Sequence, residues 1–176
     1  LLFGWFGFNA ASTFSVTDTQ FATAATNTGI AGAVGSIVAM FYMQKTTGKP
    51  DPGMMVNGML AGLVAITPAC GALSPLGSII LGVVAGGLSA LAVGLKFRLG
   101  YDDSLDVVGV HLVAGVWGTI GAGLLATATG LFYGGGIDQT VIQILIALST
   151  IIISGVVTLV IALALKATLG WRIPED

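Results

Sequence analysis

Charge is what this chain most lacks. Only 8% of its 176 residues are Asp, Glu, Lys or Arg, against about a quarter in an ordinary soluble domain. The six basic residues are too scattered to form a nucleic-acid surface. One cysteine, Cys70, permits no internal disulfide and reads as a small buried apolar residue. A single histidine beside that single cysteine makes no metal site. A phosphate-binding loop of the G-x-x-x-x-G-K-[ST] type is also missing, so no cofactor is implied. The chain has no basic n-region or cleavage site of a secretory signal, and it begins at Leu1 inside an apolar run. It reads as a fragment.

What is present is hydrocarbon. Hydrophobic residues make up 55% of the chain, glycines number 27, and the mean hydropathy is +0.99. The fold class expected is therefore all-α, a polytopic membrane bundle of six transmembrane helices with the first incomplete. The spans are expected at 1–12, 21–44, 54–73, 76–95, 104–127 and 140–166. Twelve residues at ~1.5 Å each reach only about 18 Å, short of a hydrocarbon core about 30 Å thick. Small residues mark the faces where helices approach closely: Gly29, Gly32 and Gly35 in the second span, Gly58, Ala61, Gly62 and Ala65 in the third, and Gly82 with Gly86 in the fourth. Thr23, Thr26, Asn27 and Thr28 are placed to bond backbone or neighbouring helices. Gly134–Gly136 reads as a flexible loop, Gly170 as a C-terminal cap, and Pro174 as a stop.

Alternating loops place Lys45, Lys49, Lys96, Arg98, Lys166 and Arg172 on one side of the membrane, which the positive-inside rule makes cytoplasmic. The chain then divides into a membrane domain, 1–170, and the start of a cytoplasmic tail, 171–176.

The fifth span, DDSLDVVGVHLVAGVWG at 102–118, carries the lone histidine into hydrocarbon. Asp103 can cap a helix beginning near Ser104, with Asp106 at its third position. His111 then lies roughly 10 Å inside that end, beyond easy snorkelling range. At i, i+4 and i+7, His111, Gly115 and Gly118 share a face that leaves space beside the imidazole. An intramembrane ionisable group points to function, although a histidine bonded to a backbone carbonyl is the bland reading. In the first span, Trp5, Phe8 and Ser12 form a stripe of two aromatics and a hydroxyl, with Asn9 beside it. Packing explains most aromatic stripes. Asn9 weighs against that, because an amide in hydrocarbon needs partners.

GWFGFNAAS at 4–12, NGMLAGLVAITPACG at 57–71 and DDSLDVVGVHLVAGVWG at 102–118 resemble, in order, the later half of ammonium transporters of the Amt/Mep/Rh superfamily, Amt branch. The resemblance implies helices six to eleven of an eleven-helix protomer, a homotrimer with one pore per protomer, a cell-membrane location with a cytoplasmic C-terminus, and a regulator of the PII type at the tail. It implies a transporter, not an enzyme. By the same resemblance His111 is the second of two pore histidines. Phe8 is the later of two gating phenylalanines, Ser12 the hydroxyl of an external recruitment site, and Trp5 a pore-lining tryptophan below the gate. Asp103 and Asp106 match inner-end acidic residues with a structural or electrostatic role.

Physical chemistry gives such a path a rationale. An unpaired ammonium is very costly to bury in hydrocarbon, and neutral ammonia far less so. A hydroxyl and aromatic faces can hold the cation while it sheds water. Potassium has no proton to lose, so a path that passes ammonia and relays the proton through imidazole excludes it. The expected function is thus ammonium recruitment outside, deprotonation near the phenyl gate, and ammonia passage past His111. A sensor on the same scaffold is the alternative. An intramembrane hydrolase pairing His111 with Ser154 is a remote one, because Ser154 lacks a G-x-S-x-G setting.

Overall fold

The computed structural model describes residues 1–170; the tail expected at 171–176, with Arg172 and Pro174, lies outside the described residues. Helices start and stop where local chemistry directs. Asp18 caps the long α2 (Thr19–Thr47), its carboxylate accepting from the Phe21 N–H at 3.1 Å, and Gly48 ends that helix at φ +79°. Asp51 caps α3 (Pro52–Ile66) through the Met54 N–H at 2.9 Å, and Ser74 caps α4 (Pro75–Ala92) through the Gly77 N–H at 3.2 Å. A proline opens each of the latter two, where its missing N–H is harmless. Ahead of them, α1 (Leu2–Ala10) tightens into a 3₁₀ turn at Ala11–Thr13. A five-residue α5 (Leu95–Leu99) follows α4, a π-helical turn (Val108–Val113) runs directly into α6 (Ala114–Leu125), and α7 (Asp138–Thr168) closes the described chain.

The bundle is built on α2. Both α3 and α4 press on one short stretch of it: Gly62 and Gly82 meet the backbone of Ala31, while Gly58 and Gly86 meet that of Gly35. A Cβ at any of these four glycines would overlap main chain, so the GxxxG spacing of Gly82 and Gly86 is a requirement of the contact. α6 packs on α3, α4 and α7, and α1 lies on α2. Four helical spans, Thr19–Thr47, Pro75–Leu99, Val108–Leu125 and Asp138–Thr168, are long and apolar enough to cross a membrane. Among the described residues the only β pairing is an isolated bridge between Leu73 and Ala126. Of α7 only Thr140 and Ala147 are buried.

Two expectations need correction. The third span does not continue to residue 73; its helix stops at Ile66, because Pro68 has no N–H and clashes with the preceding turn. Residues 67–73 form tight turns, and Asn27 of α2 donates from Nδ2 to the carbonyls of Cys70 and Leu73, each at 2.8 Å. One amide satisfies the backbone that the break exposed. Nor does the fifth helix begin at Ser104. Residues 104–106 turn instead, Asp106 adopts φ +57°, and helical backbone starts at Val107. Asp103 is therefore not the residue next to the helix, but its carboxylate reaches across the turn to accept from the Val107 and Val108 N–H groups at 2.8 and 2.9 Å; Gly170, at φ +70°, ends α7 as expected and donates its N–H to the Leu165 carbonyl at 3.1 Å.

Candidate functional site

Three groups of side chains matter: the α1 stripe, His111, and the acidic knot at the start of the histidine helix. Trp5 is half-buried and donates from Nε1 to the Thr67 hydroxyl at 2.8 Å, which in turn donates to the Leu63 carbonyl at 2.8 Å. Phe8 is 65% exposed. Its ring meets that of Trp5 edge to face, with centroids 6.5 Å apart and planes at 81°. Ser12 is exposed and donates to the Phe8 carbonyl at 2.7 Å, which leaves its oxygen lone pairs free to accept from a guest. The stripe therefore presents two aromatic faces and a hydroxyl along one side of a short helix. Beside it Asn9 is buried and donates to the Thr28 hydroxyl at 2.9 Å, tying α1 to α2.

His111 lies within the π-helical turn, and its ring opens on a groove of about 240 Å³ between α6 and α7. Gly115 and Thr119 line the groove on the His111 side, and Ala147, Thr150 and Ile151 line it on the α7 side. The space expected beside the imidazole exists, but Gly118 does not contribute to it. That glycine faces away and sits on the Ala65 backbone of α3, because the π turn shifts the helical register between residues 111 and 118. Ser154 is not among the groove residues; the hydroxyls there belong to Thr119 and Thr150.

Among the described residues no hydrogen bond or ring contact joins His111 to Trp5, Phe8 or Ser12. α3 stands between them. Thr67, at its end, receives Trp5, while Val64, one turn earlier, lies 3.6 Å from where a Cβ on Gly115 would be. The stripe and the histidine are thus connected through two consecutive turns of one helix.

At the other end of the histidine helix, Asp106 is ion-paired with Lys96, Nζ to Oδ1 at 2.6 Å. Asn57 donates to its other oxygen at 2.8 Å. Lys96 also donates to the Asp103 carbonyl at 2.9 Å and lies 5.2 Å from the centre of the Phe97 ring. The expectation that Asp106 would occupy the third helical position is replaced by this knot. An aspartate tolerates the left-handed backbone that pulls its carboxylate out to meet both partners. Sequence reading missed the roles of Thr67, Lys96 and Asn57. Their signals were a hydroxyl before a helix-stopping proline, a lysine directly after a long apolar span, and a lone amide inside one.

The knot gathers the start of α3, the short α5 and the start of the histidine helix at one end of the bundle; Lys96 is part of it, Arg98 lies in the same short helix, and Lys45 and Lys49 flank the Gly48 turn that leads into α3. α7 runs back toward that end: its Thr140 donates to the Gly123 carbonyl at the far end of α6, and Lys166 lies in its last turn.

A model of the Ammonium Transporter Family matches residues 1–176. The ammonium transporter of Mycobacterium bovis is 47% identical over 188 aligned residues, which cover 100% of this chain and 39% of that protein. The ammonium transporter of Aquifex aeolicus is 41% identical over 182 residues, covering 100% and 43%. Among solved structures, Mep2 of Candida albicans matches with a TM-score of 0.92 at 33% identity, over 100% of this chain and 41% of that one. A sensor Amt protein matches with a TM-score of 0.85 at 28% identity, over 99% and 44%. The chain spans less than half the length of each of these relatives.

Proposed function

We propose a function on one premise: this chain belongs to the Ammonium Transporter Family, and so to an all-helical, multi-pass membrane protein. The proposed activity is passage of ammonium, as ammonia and a proton, across the membrane. The observation that carries it is the lone histidine, one turn inside an apolar helix of membrane-spanning length, facing a groove whose other described lining residues are small, apolar or hydroxyl-bearing. Among the described residues no carboxylate lines that groove to stabilise a cation, so a cation entering it as such meets the cost of dehydration. A neutral molecule does not. Imidazole, with one accepting and one donating nitrogen, serves as the relay for the proton left behind.

In this reading Ser12 recruits ammonium at the outer mouth, and the exposed Phe8 ring holds it by cation–π attraction as water leaves. Trp5, fixed by Thr67, lines the next level, and His111 takes the inner stretch. Asp103 and Asp106 hold the inner end in place. Residues 1–170 act as the membrane domain and 171–176 begin a cytoplasmic tail, where a regulator of the PII type docks. The clustering of basic residues at the knot end supports a cytoplasmic C-terminus in the cell membrane. Assembly as a homotrimer belongs to the same reading.

A second reading, ammonium sensing, draws on the likeness to a sensor Amt protein. Reconstitution of the full-length gene product in liposomes separates the two. Transport predicts ammonium-driven flux with little potassium current. Saturable ammonium binding without flux favours the sensor.

A further inference from the structure

The helix that carries His111 is clamped at both ends. Outward, Gly118 lies on the Ala65 backbone of α3 and Gly123 on Thr140 of α7, contacts that a Cβ on either glycine would break. Inward, Asp103 holds the N–H groups of Val107 and Val108, and Gly109 fits against Ala92 and Val93, where a Cβ would lie 3.0 Å from the Val93 nitrogen. Asp106, at φ +57°, is anchored to both Lys96 and Asn57.

Between the clamps the backbone is π-helical for the six residues Val108–Val113, with His111 among them. VGVHLV has no proline to force it, and the one side-chain hydrogen bond shown to reach it, from the Val108 N–H to Asp103 at 2.9 Å, belongs to the inner clamp at its first residue. A π turn arises where a helix holds a residue too many for its fixed ends, and such turns are uncommon away from functional sites. The surplus here is imposed from the ends. A one-residue change of register turns a side chain by about 100°. The direction of the imidazole therefore depends on the turn remaining π.

We infer that Asp106, held by Lys96 and Asn57, is a positioning residue that keeps Val108–Val113 π-helical and thereby aims His111 into the groove between α6 and α7. Release of the inner clamp lets the turn relax to α-helix and rotates the ring out of the groove, while the outer packing of α6 persists. The consequence for transport rests on the role proposed for His111; the aim of the side chain does not.

The test uses the full-length protein with its other cysteines replaced, carrying His111→Cys and Thr150→Cys, two positions that line the same groove. A short bifunctional thiol reagent is expected to bridge them. Adding Asp106→Gly, which tolerates the positive φ but removes the anchor, should reduce bridging by about fivefold or more. Adding Asp106→Asn, which keeps an oxygen for Lys96 and tolerates the same φ, should leave bridging within about twofold. Undiminished bridging in Asp106→Gly overturns the inference. Where that variant does not reach the membrane, Lys96→Met, which removes the 2.6 Å ion pair to Asp106 together with the bond to the Asp103 carbonyl, must reduce bridging instead, and its failure to do so overturns the inference equally. With His111 restored, Asp106→Gly should also lose ammonium selectivity over potassium. If bridging falls but selectivity holds, the aiming role stands and the transport role of His111 is what fails.

Discussion

Asn27 is fully buried, and both protons of its amide go to main-chain carbonyls on the far side of the α3 break, at Cys70 and Leu73. In hydrocarbon no water can take over those carbonyls, so the residue is a condition for ending α3 early. Asn27→Leu should therefore destabilise by about 1–3 kcal/mol for each carbonyl left unmet. The check is the thermal midpoint of the full-length protein in detergent, and an unchanged midpoint would show the carbonyls to be satisfied otherwise. Sequence alone marks Asn27 as an amide needing a partner. It does not reveal which, because the partners lie 43 and 46 residues away and exist only if the third span stops at Ile66. Likewise His111 is conspicuous in the sequence, whereas its groove depends on the rotation of α6 against α7, which apolar composition does not encode.

At the scale of the element, boundaries are legible where a cap is written into the chain. Asp18, Asp51 and Ser74 each precede a helix and each accept an N–H of its first turn. Boundaries fail where tertiary contacts override local signals, as at residues 104–106. There a favourable capping pattern yields to the pull of Lys96 and Asn57 on Asp106. Faces were readable too, since small residues at helical spacing do mark the α2 contacts. Gly62→Leu tests how strictly. Its side chain would occupy the Ala31 backbone, a conflict no rotamer relieves, and overpacking of this kind destabilises by about 1–3 kcal/mol or more. Loss of folded protein in detergent, or a large fall in its thermal midpoint, is expected. Gly155→Leu on α7, where a Cβ meets nothing within 4 Å, should have little effect.

For the whole molecule, the proposed orientation rests on the basic residues: Lys45 ends α2, Lys96 and Arg98 lie in α5, and Lys166 lies in the last turn of α7, which runs back toward the knot. A membrane-impermeant thiol reagent should label Lys49→Cys only from the cytoplasmic side and Thr17→Cys only from outside; the reverse pattern would invert the proposed orientation. In the proposed function the events follow one order along the path: hydroxyl and aromatic stripe at the outer end, imidazole further in, acidic anchor at the inner end. On the same proposal, proton transfer at His111 separates ammonium from potassium. The most direct measurement is the relative ammonium and potassium current of full-length His111→Ala in liposomes. Ammonium-driven current is expected to be lost, or potassium current to rise by about tenfold or more as the groove admits intact cations. Ammonium current that keeps its size and its selectivity in that variant would contradict it.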